Sequence, residues 1–184
     1  MTLIKDGTGN GYIAEVDSDN KLKTHAVTQD AITYHSEVKK KAFSVYGKRN
    51  FVAADTNENI LSMTYTGDGQ LHIQKIMFST NSDSGKVEVY FDATSISGGA
   101  SVIPLVLNRG SSLASESTCL NGGSDLTGTV AAAKEMFDVR LSKASFLMDF
   151  GGSIILTKND NLFILGEVAT IADKIRVMVY YYED

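Results

Sequence analysis

The chain has 184 residues, 43% of them hydrophobic, and a formal net charge of -5, which is enough for one buried core and too little for two. That charge argues against nucleic-acid binding, because neutralising phosphates needs a clear excess of clustered Lys and Arg. A single cysteine, Cys119, rules out an intrachain disulfide framework, and no run approaches the ~20 apolar residues of a membrane-spanning helix or the apolar core of a secretory leader.

Residues 1–28 are rich in Gly, Asp and Asn and nearly empty of large apolar side chains. Gly7, Gly9 and Gly11 alternate through Asp6 to Gly11, a spacing that maximises the entropy lost on ordering. This stretch is therefore expected to be an extended arm, ordered by a partner or not at all. Leu22, Thr24, Ala26 and Val27 are strand-like enough to pair with something.

Charge is unevenly placed. Residues 1–30 hold three Lys against five acids (3 - 5 = -2), residues 31–50 hold five basic residues against Glu37 (5 - 1 = +4), and residues 51–184 hold nine basic against sixteen acidic residues (9 - 16 = -7). Lys39, Lys40, Lys41, Lys48 and Arg49 thus form a basic collar between arm and body, read either as a solvated strand edge or as a contact for an acidic partner.

From Phe43 onward the period is two. Leu61, Met63 and Tyr65 alternate with polar residues, as do Val87, Val89 and Phe91; Ile175, Val177, Val179 and Tyr181 share one face of the last run. Gly67-Asp68-Gly69, Asn81 to Gly85 and Lys158 to Asn161 supply turns. Eight strands are expected: 42–46, 59–66, 71–79, 86–93, 102–108, 136–142, 154–157 with 162–169, and 174–182. The fold class that follows is all-β, an antiparallel jelly-roll-like β-sandwich over residues 29–184 with an extended N-terminal arm over 1–28.

Three places break the pattern. Pro104, the single proline, marks an edge strand or bulge. Residues 111–128 read as a long exposed loop, and Ala131 to Met136 as a short helical turn entering a strand. Tyr181 is assigned to the core, whereas Tyr180 and Tyr182 point away and suit an interface or a sugar platform.

Motifs for chemistry are weak. The glycine run lacks the third glycine, preceding strand and following helix of a dinucleotide site. Asp17 to Leu22 and Asp55 to Ile60 depart from a calcium loop at the glycine position. His25, His35 and His72 lie far apart, with no second ligand at zinc spacing. No nucleophile elbow is present, although a triad assembles from remote positions and its absence cannot be read from spacing alone. No catalytic residue, metal or cofactor is assigned, and the chain is expected not to be an enzyme.

The pattern Asp6-Gly7-Thr8-Gly9-x-Gly11, Ala14-x-Val16-Asp17, Asn20-x-Leu22 and Thr24-x-Ala26-Val27 resembles the opening of tailed-bacteriophage virion structural proteins, particularly head decoration and head-fibre proteins, over about 22 residues. The C-terminal third is similar in architecture to the end of viral jelly rolls. The resemblance implies a non-enzymatic homotrimeric decoration or cement protein on the virion head surface, made in the host cytoplasm and bound to the major capsid protein. Attachment would fall to Lys5, Asp6, Gly7, Thr8, Gly9, Gly11, Tyr12, Leu22, Thr24 and Val27, with the collar beside them. Neither shaft-like repeats nor a further receptor domain follow, which favours decoration over an elongated fibre. The competing reading is a phage adhesin or carbohydrate-binding module on head or tail, recognising a host surface glycan through residues 111–128 or through Tyr180 and Tyr182.

Overall fold

The computed structural model describes residues 4–5, 13–14, 31–122, 126–130 and 134–184. The chain divides into two compact units, 1–30 and 31–184. In the first, strand β1 (Ile4–Lys5) pairs antiparallel with β2 (Ile13–Ala14).

The second unit opens with a short helix, α1 (Ala31–Tyr34), which continues as a π-helical turn over His35–Lys39. Lys40, at φ 60°, ends it. The strands follow: β3 (Ala42–Asn50), β4 (Glu58–Tyr65), β5 (Leu71–Thr80), β6 (Gly85–Phe91), β7 (Thr94–Ser97), β8 (Ala100–Val102), β9 (Leu105–Val106), β10 (Ser117–Asn121), β11 (Thr127–Thr129), β12 (Glu135–Leu141), β13 (Ser145–Leu156), β14 (Asn161–Val168) and β15 (Lys174–Glu183). No helix among the described residues is long and apolar enough to cross a membrane.

Eight of these strands form one antiparallel ribbon folded on itself. The first pairs with the last, β3 with β15; then β4 with β14, β5 with β13, and β6 with β12. Rolling the ribbon up places alternate pairs in opposite sheets, with orders β12-β6-β14-β4-β10-β8 and β13-β5-β15-β3-β9. This winding is a jelly roll. The alternate apolar positions of both sheets, among them Phe43, Val45, Leu61, Met63, Ile76, Phe78, Val89, Ile164, Val177 and Tyr181, form one core.

The ribbon has the expected eight strands, but the described body has thirteen in all and the membership changes. Residues 102–108 are not one strand: Pro104 separates β8, at the edge of the six-stranded sheet, from β9, at the edge of the other. A proline without an N–H is tolerated at such a crossing. In its place β13 is a full strand, interrupted by Gly151 and Gly152 at φ 57° and 79°, where its register with β5 shifts. The loop expected over 111–128 contains β10, which extends the six-stranded sheet beside β4, and the start of β11. Of the helical turn expected at 131–136, residues 131–133 lie outside the described residues and Glu135 already begins β12.

The described residues from 93 to 130 do more than connect β6 to β12. Ala93, Ile96, Leu126 and Val130 cover the outer side of the six-stranded sheet, packing on Tyr90, Phe163 and Leu165 in a second apolar cluster. Strand β14 is therefore buried on both faces, which its unbroken run Leu162-Phe163-Ile164-Leu165 fits better than alternation does. Among the described residues, none forms such a covering over most of the outer side of the five-stranded sheet.

Candidate interaction surface

Register places the outward side chains of the five-stranded sheet in rows. One row is apolar across four strands: Leu147, Met77, Met178 and Tyr46. Toward the β3 start lies Asp149, Lys75, Tyr180, Ser44 and Leu105. Toward the β3 end lies Ser145, Ser79, Arg176 and Lys48, followed by Lys174 opposite Asn50. Tyr46 and Leu147 remain 40% and 54% exposed.

Many cations of the body are paired, Lys75 of this face among them, and three others on this face are not. Lys75, Lys86, Lys134, Lys143, Lys158 and Arg49 each lie within ion-pair distance of a carboxylate. Among the described residues, none faces Lys48, Lys174 or Arg176. An apolar band of Met, Tyr and Leu rimmed by unneutralised cations suits a protein surface with an apolar centre and a carboxylate rim.

At the β3 start the face is closed by the helical segment. Tyr182 is sandwiched between two imidazoles, His35 at 4.0 Å and 19° and His72 at 4.7 Å and 8°. Both rings turn Nε2 to Asp184, His35 at 3.4 Å from Oδ1 and His72 at 3.0 Å from Oδ2. His72 Nδ1 meets the Gly152 carbonyl at 3.2 Å. Gly152 has no room for a side chain, since a Cβ would stand 2.7 Å from the Tyr182 hydroxyl. This clamp fixes the segment that leads into β3.

Behind the clamp lies a buried polar cluster. The Tyr181 hydroxyl bonds with Ser115 and Ser117 at 2.7 and 2.8 Å. The buried Glu183 carboxylate accepts the Ser115 hydroxyl at 2.6 Å and the Glu116 N–H at 3.1 Å. The Tyr65 hydroxyl donates to Glu116 at 3.3 Å. Burial pushes the neighbouring Cys119 thiol up to about 12, holding it in the unreactive form. The serine hydroxyls here are bonded to Tyr181 and Glu183, not to a histidine, so the His72–Asp184 pair has no serine nucleophile in this cluster.

Two titrations oppose each other at this end. Burial lowers His35 from 6.5, aided by the charges of His72 and Lys39 and opposed by Asp184 and a Glu183 backbone bond. The unfolded chain then binds the His35 proton more readily, so this contribution to stability falls as pH drops below 6.5. Burial raises Glu183 from 4.5 despite the Ser115 and Glu116 bonds, so the folded state holds that proton longer and its contribution falls as pH rises above 4.5. The expected outcome is that His35→Gln removes the acid-side loss in a urea-unfolding series over pH, whereas Glu183→Gln removes the opposite slope. An unchanged pH profile in both variants would refute the assignment.

The positions expected from sequence fare unequally. Of the attachment residues, Lys5 is described in β1, opposite Ile13; Asp6, Gly7, Thr8, Gly9, Gly11, Tyr12, Leu22, Thr24 and Val27 lie outside the described residues. The collar is not one cluster. Lys39, Lys40 and Lys41 precede β3, whereas Lys48 stands near its far end, about 23 Å along the strand. Arg49 is committed internally to Glu58 and to the Gly122 carbonyl. Tyr182 is covered by His35 and is not a free platform. The juxtaposition of His35, His72 and Asp184 has no sequence signature, because three distant segments supply it.

No protein-family model matches the chain, and no curated protein matches it significantly. Among solved structures, that of the infectious bursal disease virus Gx strain aligns with 78% of this chain at 10% identity and a TM-score of 0.20. This chain spans 41% of that one, and a score so low does not establish a shared fold.

Proposed function

We propose that the chain is a non-enzymatic virion structural protein, a capsid decoration or cement protein held on the capsid lattice by residues 1–28 and displaying the jelly roll outside it. The observation that carries the reading is the winding itself, a ribbon of eight strands in two sheets, an architecture used by viral capsid and lectin domains. Division into a unit at 1–30 and a body at 31–184 supports separate roles in attachment and display. The unneutralised cations of the open face add a second contact for an acidic lattice surface. Arm attachment would proceed by strand or loop addition, gaining main-chain hydrogen bonds across neighbouring capsid subunits.

Copy number and position in an intact particle test the proposal. Image reconstruction of the virus that encodes the chain is expected to show it repeated over the head surface. A handful of copies at one vertex would make it a neck or tail component, and absence from the particle would end the virion reading.

The adhesin reading retains one supporting feature. A cleft of about 380 Å³ lies between β6, β13 and the turn before β14, lined by Phe91, Asp92, Ser153, Ile155 and Asp160. An aromatic ring beside carboxylates suits a sugar, and glycan-array binding by the intact chain would favour this alternative.

A further inference from the structure

Among the described residues, four strands end the two larger sheets: β8 and β12 in one, β9 and β13 in the other. Exposed edges invite pairing with another chain and are normally blunted by shortness, proline or charge. Strands β8 and β9 have three and two residues and flank Pro104. Strand β12 carries Glu135, Asp138 and Arg140. The first part of β13, Ser145-Phe146-Leu147-Met148-Asp149, has none of these devices except Asp149, whose charge is matched by Lys75 at 3.2 Å.

The direction of its free backbone groups follows from one bond. Thr80 N–H donates to the Ala144 carbonyl at 3.3 Å, so residues 144, 146 and 148 are bonded toward β5. Alternation in an antiparallel ladder turns the N–H and C=O of Ser145, Leu147 and Asp149 away from it. Beyond Phe150 the Gly151–Gly152 bulge bends the strand, leaving 145–149 as the straight segment. Phe146 points to the sandwich interior and is nevertheless 42% exposed at its open side.

We propose that this edge pairs with the same edge of a second copy of the chain, antiparallel about a two-fold axis at Leu147. The segment is self-complementary. Leu147 meets its own symmetry mate, Ser145 stands opposite Asp149 so that its hydroxyl donates to the carboxylate, and Phe146 packs beside Met148. The apolar row of Tyr46, Met178, Met77 and Leu147 then runs without a break through eight strands. The occupant is a second copy because the segment itself supplies a matched partner at every position, apolar against apolar at 146–148 and hydroxyl against carboxylate at 145 and 149. The inference goes beyond attachment to a capsid and stands without it, and it names a two-fold pair where the family resemblance implies a trimer.

The full chain is to be weighed by light scattering and native mass spectrometry over a micromolar concentration series. The expected mass is twice the 19.9 kDa of one chain. Amide exchange is expected to show concentration-dependent protection at Ser145 and Leu147, while Phe146 and Met148 are protected at every concentration. Leu147→Lys, on an exposed position, is expected to abolish the dimer and to melt, at every concentration, at the temperature the wild type approaches on dilution. A one-chain or three-chain mass, open-ended assembly, or rapid exchange at Leu147 in a dimer would each overturn the pairing. The wild-type exchange pattern decides the matter even where the variant fails to fold.

Discussion

Deleting residues 1–28 is expected to leave a folded body that no longer stays on capsids. Among the described residues, both apolar clusters are built from positions between 43 and 181, so the truncated chain is expected to keep the melting temperature of the full one. Its co-sedimentation with purified capsids is expected to fall by on the order of 10²–10⁴-fold, the avidity supplied when tethered arms engage neighbouring sites together. Retained capsid binding by the folded truncated chain would dismiss the arm as anchor and shift attachment to the open face with Lys48, Lys174 and Arg176.

Tyr181→Ala is expected to be the most damaging single change to the body. The ring is fully buried, stacks on Phe43 at 5.6 Å, and its hydroxyl joins Ser115 and Ser117. Loss of the ring costs roughly 3–5 kcal/mol as a cavity in a close-packed core, or about 2–4 °C in melting temperature per kcal/mol. Tyr181→Phe keeps the ring and removes one partner from two serine hydroxyls beside the buried Glu183, a loss of about 1–2 kcal/mol. Urea unfolding of both variants separates packing from hydrogen bonding. Equal losses would mean that the hydroxyl network, not the ring, holds this end.

Much of the architecture was legible because the core alternates. Ile175, Val177, Val179 and Tyr181 point inward as their spacing requires, and turns at 81–85 and 157–160 fall where Asn, Asp and Gly cluster. The first part of strand β13 escaped because Phe146 to Phe150 is nearly continuous in apolar residues and so lacks the alternation of a half-buried strand, and the structure carries it through Gly151-Gly152 as a bulge to the end expected at 154–157. Strand β10 escaped because Ser117 and Cys119 bury small side chains that read as loop composition. The interaction surface was less legible still. Its rows are assembled from four strands distant in sequence, and which cations lack partners depends on where the carboxylates fall. One signal was present from the start: Lys48 and Arg176 sit at outward positions of strands whose inward positions are apolar.

The pairing of the first strand with the last also has a mechanical meaning. A pull on the chain at residue 30 meets the His35–Tyr182–His72 stack before it reaches β3. Beyond the clamp, β3 is held along its nine residues by β15 and near its start by β9. Tension directed along that strand loads the ladder in shear, so its hydrogen bonds share the force and must break together instead of one after another. If residues 1–30 act as a tether, the body is joined to it through a strand that resists being drawn out, and the clamp is expected to be the first element to yield.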